Sequence, residues 1–259
     1  MTKSFTLRVD LESDKGIREG VPRLLDLLKK YDIKASFYLT MGGESNLFEL
    51  LKYRNPLKSS GERRIKLWSF WEKLRMAFFP RDFVRGNLEV LKRILAEGHE
   101  LGIHGWKHRA WTRGLDKINA RDHIIKSKRK YFRLFGVAPT SFSAPGFNTG
   151  QMIRSILSEE GIQVISDLEG GKVSISKGIK NVPMTILGEN RGPIIESLVA
   201  DKKTDPEILK RVRKKIEELE LSSFYIHGLF EARFKLDLLE KILRFVVKNR
   251  IKNRRIIDY

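Results

Sequence analysis

Short apolar runs alternate with longer stretches whose apolar positions recur every three or four residues, almost to the end of the chain. The short runs are rich in β-branched and aromatic residues and read as strands at 5–9, 35–39, 101–104, 140–143, 163–166, 182–186, 224–227 and 255–257. The longer stretches predict helices. In 21–31, Pro22 sits in the first turn and Leu24, Leu25 and Leu28 share a face. In 85–97, Leu88, Leu91 and Leu95 do the same, and Gly98 supplies the stop. Further helices are expected at 118–135, 152–160, 206–220 and 236–248.

Strand followed by helix, repeated about seven times, implies one α/β domain over 1–259 with a parallel sheet, closed as a barrel or open and doubly wound. Either architecture gathers chemistry at the C-terminal ends of its strands. Asp10, Glu12, His104, His108 and His227 all fall at such ends. The segment from about 42 to 84 breaks the alternation. A helix through 62–80 would turn Ile65, Trp68, Trp71 and Phe78 to one side, flanked by Arg64, Lys66, Lys73 and Arg75. Aromatic plus basic is the makeup of a helix lying in a membrane interface. The plainer reading is an extra helical hairpin packed over the barrel rim.

Composition narrows the chemistry. The chain has no cysteine, so disulfides and thiolate metal sites are excluded. Its 51 Lys+Arg against 32 Asp+Glu give a net charge of +19, which attracts anions: nucleic acid, anionic headgroups or a phosphorylated substrate. A thermophile-like surface explains abundant charge but not its sign. Neither a secretory signal nor a membrane-spanning run is legible, so the expected location is the cytoplasm, with attachment to the cytoplasmic face of a membrane as the refinement.

The chain has five histidines, and His104 and His108 stand four apart in Glu100-Leu-Gly-Ile-His-Gly-Trp-Lys-His108. Spacing alone is weak, arising in roughly a tenth of shuffled chains. Asp10 and Glu12 lie two apart at a strand end, which turns both to one side. Exposed carboxylates bonded to Arg18 are the bland explanation of that pair. Two imidazoles and a carboxylate are, however, the protein ligands of a hydrolytic metal site with one position left for water, and a second carboxylate can serve as base.

At these residues the chain resembles the polysaccharide deacetylase family (carbohydrate esterase family four). The resemblance is carried by Leu7-Arg-Val-Asp-Leu-Glu-Ser13, Gly16-Ile-Arg-Glu-Gly-Val-Pro22, Lys34-Ala-Ser-Phe-Tyr-Leu39, His99-Glu-Leu-Gly-Ile-His-Gly-Trp-Lys-His108 and Tyr225-Ile-His-Gly228. It is strongest toward the branch acting on polyprenyl-phosphate-linked formamido sugars, and it spans nearly the whole chain. It implies a distorted (β/α)7 barrel, Asp10 as general base, Glu12, His104 and His108 as metal ligands, and His227 as general acid. It further implies a divalent ion, Zn2+ foremost with Mn2+, Co2+ or Ni2+ as substitutes, and substrate contacts from Arg18, Trp106, Pro145, Gly146 and Asp167. Asp167 is in addition expected to hold His227 in its working tautomer. Two departures stand out. Glu12 occupies a position where the family usually has Asp, and Ser143-Ala-Pro-Gly-Phe-Asn148 lacks the Arg that commonly orients the base.

The implied activity is removal of a formyl or acetyl group from the nitrogen of an amino sugar, with an anionic membrane surface as partner. A deacetylase of another N-acetylated glycan is the nearest rival. A nucleic-acid-binding protein is suggested by charge alone, and no reading module or basic–aromatic groove supports it. A catalytically silent barrel has Glu12 as its one encouragement. The oligomeric state is not legible.

Overall fold

A computed structural model describes residues 3–53, 67–167 and 170–259. Strand β1 (Ser4–Leu11) sets its plan. Odd positions Phe5, Leu7, Val9 and Leu11 are apolar, even positions Thr6, Arg8 and Asp10 are polar, and all seven are buried. The period-2 pleat therefore gives the strand one face for the core under the helices and another for a polar lumen.

The remaining strands are β2 (Ser36–Leu39), β3 (Glu100–Ile103), β4 (Ser141–Phe142), β5 (Val164–Ile165), β6 (Ser174–Ser176), β7 (Ile179–Asn181), β8 (Leu221–His227) and β9 (Lys252–Asn253). They form one sheet in the order β6-β7-β5-β4-β3-β2-β1-β8, with β9 beside β1. All pairings are parallel except the β6–β7 hairpin. Neighbours in sequence are thus neighbours in space, as in a singly wound barrel rather than a doubly wound sheet.

The strand expected at 182–186 closes this barrel irregularly. Val182 N donates to Ile165 O at 2.9 Å, whereas Thr185 N and Ile186 N both donate to Ser223 O, at 3.0 and 2.9 Å. The segment crosses from β5 to β8, and Pro183, having no N–H, prevents a regular ladder on the way. The result is the distorted α/β barrel the resemblance implies. The strand expected at 255–257 is instead a turn, Ile256–Asp258, that plugs the lumen at the N-terminal ends of the strands. There Ile256 N donates to Ser36 Oγ at 2.8 Å, Ile257 N to Glu100 Oε2 at 3.0 Å, and Thr6 Oγ1 to Tyr259 Oη at 2.9 Å. A lumen sealed at one end leaves the other for chemistry.

Helices follow the predicted faces. In Val21–Lys30, Leu24, Leu25 and Leu28 are buried, each contributing about 2 kcal/mol. The helix Leu88–Ala96 is shorter than the expected 85–97, because Phe83–Gly86 forms a separate turn ahead of it. A short helix, Ile194–Ala200, precedes Asp205–Glu218 and was not expected.

The insertion carries helices Leu47–Lys52 and Phe70–Phe78. Ser69 and Glu72 form a capping box, so the second helix starts after Trp68 rather than running through it. Arg64, Ile65 and Lys66 lie outside the described residues. Glu72 pairs with Lys15 at 2.7 Å, tying the insertion to the barrel rim, and Arg75 pairs with Glu44 at 2.6 Å within the insertion. Its apolar side chains are not sequestered: Phe70, Trp71 and Phe79 are 70–74% exposed. No helix among the described residues is long and apolar enough to cross a membrane.

Candidate active site

Three strand ends supply the site. Glu12 follows β1, and His104 follows β3, where its N–H extends the sheet by donating to Leu39 O at 2.8 Å. Gly105 then adopts φ +69°, a left-handed turn that a side chain would strain, and His108 opens the helix His108–Arg113. Glu12 Oε1 lies 3.2 Å from His104 Nε2 and 2.8 Å from His108 Nε2. One ligand atom from each residue falls within 4.8 Å of the others. The donor set fits a divalent ion. His104 Nδ1 is 2.9 Å from Ser143 O, a carbonyl that can only accept, so the proton sits on Nδ1 and the Nε2 lone pair faces its partners.

Asp10 lies in the neighbouring row of the sheet, in register with Tyr38 and His227. The arginine absent from the 143–148 stretch has a counterpart on β1 itself. Arg8 Nε and Nη2 donate to the two Asp10 oxygens at 2.7 Å each, a bidentate clamp within the lumen. Arg8 is fully enclosed, with the rings of Tyr38, Phe147 and Tyr225 at 5.6, 5.1 and 5.2 Å and the Ser166 carbonyl on Nη1. Burial would raise the Asp10 pKa, but Arg8 and then His104 outweigh it and hold the carboxylate below its usual range. Glu12 behaves alike: burial opposes ionisation, while His108 and His227 bring its pKa well down.

Asp167 does not hold His227. Its Oδ1 accepts from Ala144 N at 2.7 Å and Ser143 Oγ at 3.1 Å, and lies 3.8 Å from Arg8 Nη1. It is thus the far side of the Arg8 clamp, and burial pushes its pKa up to about 7 despite Arg8. The partner of His227 is Glu196, on the helix Ile194–Ala200, with Oε1 2.6 Å from Nδ1. Burial would lower the His227 pKa, but Glu196 and Glu12 raise it well above the ordinary value. Glu231 is buried nearby with no hydrogen-bond partner for either side-chain oxygen, and burial together with the Glu196 charge raises its pKa well above the usual carboxylate range.

The other expected contacts separate. Gly146 lines the roughly 230 Å³ cavity over Asp10, Glu12, His104, His108 and His227. Pro145 is buried behind Gly105. Arg18 is exposed and pairs with Asp14 and Glu19, away from this cavity. Trp106 faces a different cavity, described below. Arg8 carried a usable signal, since it shares the polar face of β1 with Asp10 and Glu12. Glu196 carried none, because only the barrel closure brings it to His227.

The polysaccharide deacetylase model matches residues 8–165, well over half of the chain. A probable 4-deoxy-4-formamido-L-arabinose-phosphoundecaprenol deformylase from Shewanella sediminis is 30% identical over 114 residues, 42% of this chain and 37% of that protein. The protein of the same description from Wigglesworthia glossinidia brevipalpis is 23% identical over 259 residues, 94% of this chain and 88% of its own. Among solved structures, a probable polysaccharide deacetylase from Pseudomonas aeruginosa PAO1 superposes with a TM-score of 0.72 at 14% identity, over 98% of this chain and 88% of the other. With the strand order, the histidine pair and the early carboxylates already in hand, these matches establish that the chain belongs to the polysaccharide deacetylase family.

Proposed function

We propose that the chain is a metal-dependent amide hydrolase that removes an N-acyl group, formyl before acetyl, from an amino sugar carried on a polyprenyl phosphate. The observation that carries this reading is the convergence of Glu12, His104 and His108 between Asp10, clamped by Arg8, and His227, held by Glu196. Those three residues would hold the ion, which when bound lowers the pKa of a water to about 7 and polarises the amide carbonyl.

The remaining steps fall to the protein. Arg8 fixes the plane of Asp10 and keeps it ionised before substrate arrives. The same clamp makes Asp10 a weak base in isolation, so it takes the water proton as the new carbon–oxygen bond forms and the water turns acidic. His227 gives its proton to the departing nitrogen, a transfer typically worth on the order of 10²–10⁴ in rate. Glu196 on Nδ1 directs Nε2 toward the cavity and stabilises the charged ring until that moment. Water and amide become a free amine and formate, or acetate.

The choice of a lipid-linked sugar is supported by the description of the two deformylase relatives and by the exposed apolar rim of the insertion. An anionic membrane surface is the matching partner for a basic protein, at about 1 kcal/mol per well-placed Lys or Arg. The test is product release from a synthetic formamido-sugar polyprenyl phosphate and its acetamido counterpart. Formate release that stops with a chelator and returns with Zn2+ is expected; metal-loaded protein that frees neither acid would overturn the reading.

A further inference from the structure

A second cavity, about 510 Å³, opens on the other side of the turn that links the two metal-site histidines. Trp106 and Lys107 of that turn form one wall, the 80–85 segment another, and the helix Ala120–Phe135 the third. Seven basic and two acidic side chains line it, and the acidic ones are already engaged. Glu44 takes both Arg75 Nη atoms and Arg81 N, while Asp82 takes Lys130 at 2.7 Å and lies 3.6 Å from Arg85; Lys107 lies 3.3 Å from Glu49 and donates to Glu44 O at 2.8 Å. Arg129 and Arg133 stand one turn apart on the same helix, both exposed, with no carboxylate partner among the described residues. Like charges at that spacing destabilise a helix, and no carboxylate among the described residues offsets them here. The excess of basic side chains suits an anionic ligand.

Its two borders say what kind. On one side, Pro80 and Arg81 continue directly from Phe78 and Phe79, which are 57% and 74% exposed. On the other, Trp106 and Lys107 continue into His108. An amphiphile with a phosphate next to a hydrocarbon chain matches that sequence of surfaces. We propose that this pocket binds the phosphate ester of a lipid through Arg129, Arg133, Arg85 and Lys107. The inference deepens the lipid-linked reading of the active site and rests on it for the identity of the substrate, whereas the pocket's chemistry stands apart from the metal centre. The ester can belong to the sugar-carrying lipid or to an anionic lipid of the surrounding leaflet.

The experiment uses the whole chain and three probes: a short-chain prenyl phosphate without sugar, phosphatidylcholine vesicles containing phosphatidylglycerol, and an oligothymidylate. Wild-type protein and His108→Ala should bind at least one phosphate ester alike, more weakly as salt rises. The Arg129→Gln/Arg133→Gln variant should bind that ester about tenfold more weakly or worse. Loss confined to prenyl phosphate identifies the substrate as the source, and loss confined to vesicles identifies the leaflet. Arg85→Gln alone provides the same reading should the double variant not fold. Equal binding of both esters by wild type and variants overturns the proposal, as does an oligothymidylate interaction that alone disappears. Because His108→Ala is aimed at the proposed metal centre and leaves the pocket's basic side chains in place, an intact ester site with no amide hydrolysis in wild type would sink the catalytic reading and leave this one standing.

Discussion

The lumen and the insertion rim both carry charged and aromatic side chains, but they use them in opposite ways. In the lumen, Arg8 is buried under three aromatic rings and its two hydrogen bonds to Asp10 form one bidentate pair. Removing either partner would strand a charge in a medium that cannot solvate it. On the rim, Phe70 and Trp71 face water, and on the helix Ala120–Phe135 beside it Arg129 has no carboxylate partner among the described residues. Nothing inside the described chain satisfies them. Buried and fully paired groups hold a geometry, whereas exposed and unpaired ones await a partner from outside. On the proposed function, the first region would set the reaction and the second would meet the substrate.

That contrast can be broken most decisively at the ion. His104→Ala should lose bound metal, measured by elemental mass spectrometry, and cut amine release on the order of 10⁴-fold; retained metal and activity would remove the lumen from catalysis. Next comes the clamp. Arg8→Gln leaves Asp10 buried without its partner and should destabilise the fold by on the order of 3–5 kcal/mol in urea melts, and Arg8→Gln/Asp10→Asn should recover part of that. An Arg8→Gln protein as stable as wild type would mean that the pair is not desolvated.

A smaller effect is expected at Glu196. Its charge raises the His227 pKa, and a general acid works only while protonated. Glu196→Gln should therefore move the alkaline limb of the pH–rate profile to lower pH, costing about tenfold at pH 8 while the acid limb stays. A uniform loss at every pH would point to misfolding or to a different acid. The smallest effect on chemistry belongs to the rim. Phe70→Ser/Trp71→Ser/Phe79→Ser should weaken binding to anionic vesicles by about tenfold or more with metal content unchanged. Unaltered vesicle binding would reduce the rim to an accident of packing.

What the sequence alone determined is what short-range periodicity encodes. The 2- and 3.6-residue patterns placed most strands and helices, and put Asp10, Glu12, His104 and His227 at the C-terminal ends of strands, whereas His108 opens the helix that follows. The alternation within β1 also held Arg8 on the face of Asp10, a signal present but easily overlooked because an arginine in a strand is usually read as solvent-facing. Tertiary structure alone decided the rest. Pro183 forces an irregular closure, which carries the helix bearing Glu196 to His227 and leaves Asp167 facing Arg8 instead. The chain end becomes a plug rather than a strand, because Ser36 and Glu100 offer its N–H groups side-chain acceptors inside the lumen. Pairings of this kind join residues 30 to 220 positions apart, and they depend on which groups a closed barrel leaves without water, a quantity no local pattern records.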